Sequence, residues 1–145
     1  MRIVVGADHA GFDLKQELVA ALKTAGHEVV DFGCHAAERC DYPDFASKVG
    51  QAVSNGEAPR GLLVCGTGQG MAMSANRIPG VRASVVSDTF SAHATVEHND
   101  SNVLCLGSRV VGVGVALDIL SAWLGAEFEG GRHADRLAKM AALER

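Results

Sequence analysis

Aromatic side chains are scarce in this 145-residue chain, which has one Trp, one Tyr and five Phe. Few platforms are therefore available for stacking nucleobases. A formal net charge of −4 gives no general attraction to a polyanion either, so no nucleic-acid partner is expected. Paired cysteines are also missing. The four thiols (34, 40, 65 and 105) contain no C-x-x-C, and neither they nor the histidines fit a zinc ligand pattern such as H-E-x-x-H, so no metal and no cofactor is expected. They read as reduced thiols of a cytoplasmic protein. No long apolar run survives unbroken: Val110 to Phe128 is cut by Asp118 and several glycines, which argues against a membrane span. Asp8 interrupts the first apolar run too early for a secretory signal. With no repeat, low-complexity tract or linker, residues 1–145 are expected to form one domain.

What is present centres on Arg60-Gly-Leu-Leu-Val-Cys65-Gly-Thr67-Gly-Gln-Gly70-Met-Ala-Met-Ser-Ala-Asn76-Arg77. Leu62 to Cys65 reads as a buried strand. Gly66, Gly68 and Gly70 then break all regular structure, and Met71 to Asn76 resumes as a helix. A strand–glycine turn–helix unit aims backbone N–H groups at whatever sits above the strand end, which favours an anion. The same position lowers a thiol pKa. Two familiar loops are excluded: no lysine follows Gly70, as a P-loop needs, and Met71 stands where the dinucleotide fingerprint needs its third glycine. A lone free cysteine is more often a core residue, but Thr67 and three glycines directly after Cys65 favour a site.

The remaining chain alternates strands and helices. Strands are expected over residues 2–7, 27–32, 81–86 and 103–106. Helices are expected over 12–25, from Pro43 to about 54, from the cap Asp88 toward Glu97, over 113–124, and from near His133. Short, continuously apolar strands between helices imply an α/β fold with a parallel sheet covered on both faces. Ligands of such folds bind beyond the C-terminal strand ends. The polar residues there are Asp8 and His9, Cys65 and Thr67, Ser87 and Asp88, and Ser108 and Arg109. Two further clusters stand out. Glu97-His98-Asn99-Asp100 precedes the fifth strand, and Arg132 and Arg136 stand four apart after Gly130-Gly131. Side-by-side guanidinium groups suit a phosphate. Each feature has a plainer reading as a helix cap, an exposed loop or a solvated basic face. Together, a thiol base, oxyanion donors, histidines, an aspartate and a phosphate clamp fit proton transfer next to a carbonyl in a small phosphorylated molecule.

Asp8-His9-Ala10-Gly11, Asp41-Tyr42-Pro43-Asp44, Cys65-Gly-Thr67-Gly-x-Gly70, Ala75-Asn76, His98-Asn99-Asp100, Gly107-Ser-Arg109 and Gly130-Gly131-Arg132-His133 occur in order along nearly the whole chain. In these the sequence resembles the type B ribose-5-phosphate isomerases, which are related to allose- and galactose-6-phosphate isomerases. The resemblance implies a Rossmann-like three-layer α/β/α sandwich with a five-stranded parallel sheet, forming homodimers often paired into tetramers. It also implies metal-independent interconversion of ribose 5-phosphate and ribulose 5-phosphate. By this resemblance Cys65 carries a proton between C2 and C1 through a cis-enediol, and Thr67 with the Gly66, Gly68 and Gly70 amides holds the enediolate oxygens. His98, with Asp8 nearby, opens the furanose ring, and Asn99 binds a sugar oxygen. His9, Arg109, Arg132 and Arg136 hold the phosphate, and Tyr42 lines the pocket. The Arg132 cluster is expected in the crevice of Cys65, with His98 and Arg109 reaching the crevice of a partner subunit.

Three positions depart from the family pattern: Gln69 where a small aliphatic residue is commoner, Ala72 for serine and Arg77 for lysine. Gln69 would re-polarise the pocket, which leaves allose 6-phosphate or another phosphorylated aldose as an alternative substrate. A non-catalytic sugar-phosphate-binding protein is a second alternative. Against it, binding alone needs only the arginine cluster, whereas Cys65, Thr67 and His98 are all present.

Overall fold

The structure, a computed structural model, describes residues 1–144. Five strands, β1 (Arg2–Ala7), β2 (Glu28–Asp31), β3 (Arg60–Cys65), β4 (Ala83–Val85) and β5 (Val103–Gly107), form one parallel sheet in the order β2-β1-β3-β5-β4. The expected three-layer architecture follows from how the strands are covered. Successive residues of a strand face opposite sides, and here both sides are apolar. Ile3, Val5, Leu62, Val64, Leu104 and Leu106 pack beneath α1 (Phe12–Thr24), α4 (Thr89–Asn99) and α5 (Val113–Gly125). Val4, Leu63, Cys65, Val103 and Cys105 pack beneath α2 (Tyr42–Ser54) and α3 (Gln69–Ala75). The last helix, α6 (Arg132–Ala141), lies against α4 and buries His133.

The path of the chain creates a crevice between β1 and β3. After β1 it crosses to α1 on one face, and after β3 it crosses to α3 on the other. Ligand sites of open parallel sheets form where such connections diverge. Here the divergence lies between Asp8 and Cys65, since Ala7 pairs with Val64 in the sheet.

Local boundaries differ from the sequence expectation in informative ways. Helix α4 continues past Glu97 to Asn99 and stops where Asp100 turns left-handed (φ 47°). At its start the Asp88 carboxylate accepts the Ser91 N–H at 2.7 Å, as a cap should. Strand β4 is only three residues long because the Arg82 N–H is taken by the Asn102 side chain at 2.7 Å rather than by a strand.

Gly11 is fixed by space, not by dihedral freedom: its φ is −92°. A Cβ at this position would lie 2.2 Å from the Val64 carbonyl oxygen, and that oxygen also accepts the Asp8 N–H. The loop after β1 thus rests directly on the end of β3. Gly11→Ala is expected to destabilise the fold by about 1–3 kcal/mol through overpacking. Urea unfolding measures this, and an unchanged midpoint would refute the close-approach argument.

Candidate active site

Cys65 ends β3 and is 4% exposed. The Gly68 N–H donates to its sulfur at 3.1 Å. That contact requires the turn of Cys65 to Gly68, in which Gly68 takes φ +81°, a conformation an L side chain resists. A donor aimed at sulfur holds it as an acceptor at the strand end. The other thiols are poorly placed for such a role. Burial pushes the Cys105 thiol up, and nearby Cys65 adds to the shift. Burial, with Cys34 beside it, raises Cys40 to about 11.

Around Cys65 the structure gathers eight of the other expected residues. Asp8 is buried at the end of β1, and its Oδ1 accepts the Ala10 and Gly11 N–H groups at 3.0 and 3.1 Å. His9 Nδ1 sits 3.2 Å from both the N–H and the carbonyl of Cys40. Thr67 is exposed, and its Oγ1 accepts the Gln69 N–H at 3.3 Å. The first N–H groups of α3 have no acceptor within the helix, which leaves Gly66, Gly68 and Gly70 in an amide-lined turn. Tyr42 covers that turn: a Cβ on Gly70 would come within 2.6 Å of its ring, so only glycine admits the phenol there.

Arg109 also belongs to this crevice, in its own chain. Its N–H donates to the Gly66 carbonyl at 3.0 Å, and its guanidinium lies 3.6 Å from where a Gly66 Cβ would stand. This corrects the expectation that a partner supplies it. The cause is the register: Cys65 pairs with Gly107, so the residues just after β5 fall beside those just after β3.

His98, Asn99, Arg132 and Arg136 are not brought to Cys65. His98 lies in the last turn of α4, which descends to the opening of β5. Val103 pairs there with Gly61, at the edge of the sheet opposite Cys65, about 13 Å away along the strands. His98 thus lies away from the Asp8 of its own chain, as its expected reach into a partner's crevice requires, whereas the expectation that the Arg132 cluster shares the crevice of Cys65 is wrong within one chain. Instead His98 stacks on His133, with ring centroids 4.6 Å apart and planes at 17°. Arg132 and Arg136 accompany His133 on α6. Asn99 opens into a cleft of about 660 Å³, together with Arg77, Arg82, Leu137 and Met140.

Sequence reasoning missed Glu129. Its Oε1 lies 3.6 Å from both His98 Nε2 and His133 Nε2. The i,i+4 spacing of Glu129 and His133 was the available signal, but His98 joins them only through the fold. Burial, then the Arg132 cation, hold the His133 imidazole below the usual histidine range, with Glu129 opposing them. These three residues are also the one grouping among the described residues whose ligand atoms could hold a metal ion, which the sequence pattern did not suggest.

Comparison with known proteins places the whole chain in a family. Residues 3–140 match the Ribose/Galactose Isomerase family. The chain is 50% identical over 143 residues to ribose-5-phosphate isomerase B of Escherichia coli (strain K12), covering 99% of this chain and 96% of that one. Among solved structures, ribose-5-phosphate isomerase B of Clostridium thermocellum superposes with a TM-score of 0.98 at 51% identity, covering 99% and 97% of the two chains. The Mycoplasma genitalium ribose-5-phosphate isomerase B with bound ribulose 5-phosphate superposes with a TM-score of 0.92 at 40% identity, covering 97% and 94%. The chain therefore belongs to the ribose/galactose isomerase family, and its similarity within it is to the type B ribose-5-phosphate isomerases.

Proposed function

We propose that this chain interconverts ribose 5-phosphate and ribulose 5-phosphate, working as a homodimer whose active sites are each built from two chains. The observation that carries the reading is the Cys65 sulfur held by the Gly68 N–H, at a strand end lined by Asp8, Thr67 and Arg109. In the open-chain aldose, the Cys65 thiolate takes the proton from C2 and returns it to C1, while the hydroxyl proton on O2 passes to O1. The formula is unchanged and no redox partner is consumed. Thr67 and the turn amides not already bonded to Cys65 Sγ or Thr67 Oγ1 stabilise the charge that develops on the enediolate oxygens, where preorganised donors act most strongly. His9 and Arg109 supply positive or donor groups to the phosphate from the same chain.

Ring opening needs an acid–base group at the sugar ring, and this crevice offers no second histidine besides His9 in the loop after β1. His98 and Asn99 would enter from the second copy, accompanied by Arg132 and Arg136. Exchange under two-fold symmetry is reciprocal: each chain lends its His98 edge and receives one. Exposed Met73, Met140 and Leu143 supply apolar surface for such a contact. Four free thiols suit a reducing, cytoplasmic setting. No step calls for a metal, so turnover is expected to persist with a chelator present.

Cys65→Ala is expected to lower turnover of ribose 5-phosphate, and solvent exchange at C2, by more than tenfold, or about 1.4 kcal/mol of barrier. Binding of a sugar-phosphate analogue should survive. A variant that keeps a tenth of the activity would remove Cys65 as the base.

His98→Asn should separate ring opening from proton transfer. Ribulose 5-phosphate cannot close a furanose ring, so exchange of its C1 proton with solvent, followed by NMR, should exceed that of Cys65→Ala. Equal losses would assign His98 to the proton-transfer step.

The shared site is tested by refolding Cys65→Ala and His98→Asn chains as a mixture. In a mixed dimer one site collects both lesions and the other neither, so random pairing should restore roughly a quarter of wild-type activity. A mixture as inactive as its parents, with mixed dimers verified by mass, would refute the shared site.

A further inference from the structure

The chemistry above leaves Glu129 and the Nε2 of His133 without a task. His133 is 6% exposed, and its Nε2 is buried with no hydrogen-bond partner. A buried polar atom in that state is costly unless something comes to it. What it faces is Glu129 Oε1 at 3.6 Å, and His98 Nε2 stands 3.6 Å from the same oxygen. All three atoms lie within 4.8 Å of one another. We propose that His98 Nε2, Glu129 Oε1 and His133 Nε2 bind a divalent cation of the zinc class, which inhibits the enzyme by withdrawing the His98 imidazole from the reaction.

Two imidazoles and one carboxylate are a zinc donor set with a coordination position left for water. Bonds of about 2.0–2.1 Å in a tetrahedron hold ligand atoms about 3.3 Å apart, so each Glu–His pair needs to close by only a few tenths of an ångström. The stacked rings present their nitrogens side by side, and one ring must turn to converge on an ion. His98 is the one free to do so, since its side chain is 45% exposed whereas that of His133 is 8% exposed. Glu129 is already tied to α4, where its N–H donates to the Glu97 carbonyl at 3.0 Å. Arg132 and Arg136 oppose a cation here through their charge, which makes the site weaker than a structural zinc site. Capture of the site needs no chemistry at Cys65. The inhibitory half of the inference does rest on the role proposed above for His98.

The test is titration of the full chain with Co²⁺ and then Zn²⁺ in phosphate-free buffer. The expected result is one ion per chain, with visible d–d absorption and no near-ultraviolet thiolate-to-cobalt charge-transfer band. Glu129→Gln, which changes an exposed side chain and so spares the fold, should weaken binding by roughly tenfold or more. His133→Asn should do the same, and Cys65→Ala should leave the spectrum unchanged. Zn²⁺ should suppress turnover of ribose 5-phosphate more than C1-proton exchange of ribulose 5-phosphate, and Glu129→Gln should shift that inhibition to higher zinc by the same factor. A thiolate band that disappears in Cys65→Ala, or an affinity unmoved by Glu129→Gln, would overturn the site. An intact cobalt spectrum in a chain that never turns over ribose 5-phosphate would instead overturn the isomerase reading and, with it, the inhibition.

Discussion

Ser108 joins three loops that would otherwise be independent. Its N–H donates to the Cys65 carbonyl at 2.8 Å, and its hydroxyl donates to the Ala10 carbonyl at 2.7 Å. The loops after β1, β3 and β5 thereby bond to one another across the top of the sheet, and Gly11 seats the first of them on Val64. Such cross-bonding fixes Asp8, Cys65 and Arg109 relative to each other without depending on water. A proton carrier gains from that rigidity, because small misplacements of a reacting group cost large factors in rate.

A second set of supports begins at Lys15, which is fully buried and donates to Asp31 at 2.6 Å and to the Cys34 carbonyl at 2.8 Å. A buried ammonium is tolerated only when paired and hydrogen-bonded in this way. It pins the start of the loop between β2 and α2. Further along, the Cys40 backbone holds His9 and Tyr42 lies over Gly70. A lysine on α1 thus positions the far wall of the crevice, although it touches none of the groups proposed to react.

The fold was largely legible in the sequence because the central strands are short apolar runs and α1 and α2 carry clear apolar stripes. The sulfur side of the site was legible for the same reason: Asp8, Cys65 and Arg109 follow strand ends directly, and parallel strands bring their ends together. His98 was harder, because its position depends on how far α4 continues, and Asp100 ends that helix later than expected. Arg109 was misassigned by the resemblance, although the register of β5 against β3 puts it beside Gly66. Lys15 left no local signal, and Glu129 left only its four-residue spacing from His133. One is a lysine on an amphipathic helix; the other is a loop carboxylate whose second partner, His98, lies 31 positions away in the sequence.

The distance between Cys65 and His98 along the sheet carries a consequence for how such a protein evolves. On the shared-site reading, a lesion at the imidazole edge is felt in the neighbour's pocket, and one at the sulfur edge in the lesioned chain's own. Two copies of the gene could then drift apart, one keeping the sulfur edge and the other the imidazole edge, while their products still assemble one working pocket per pair. Selection would act on the pair rather than on either sequence, and neither copy read alone would look like a complete enzyme.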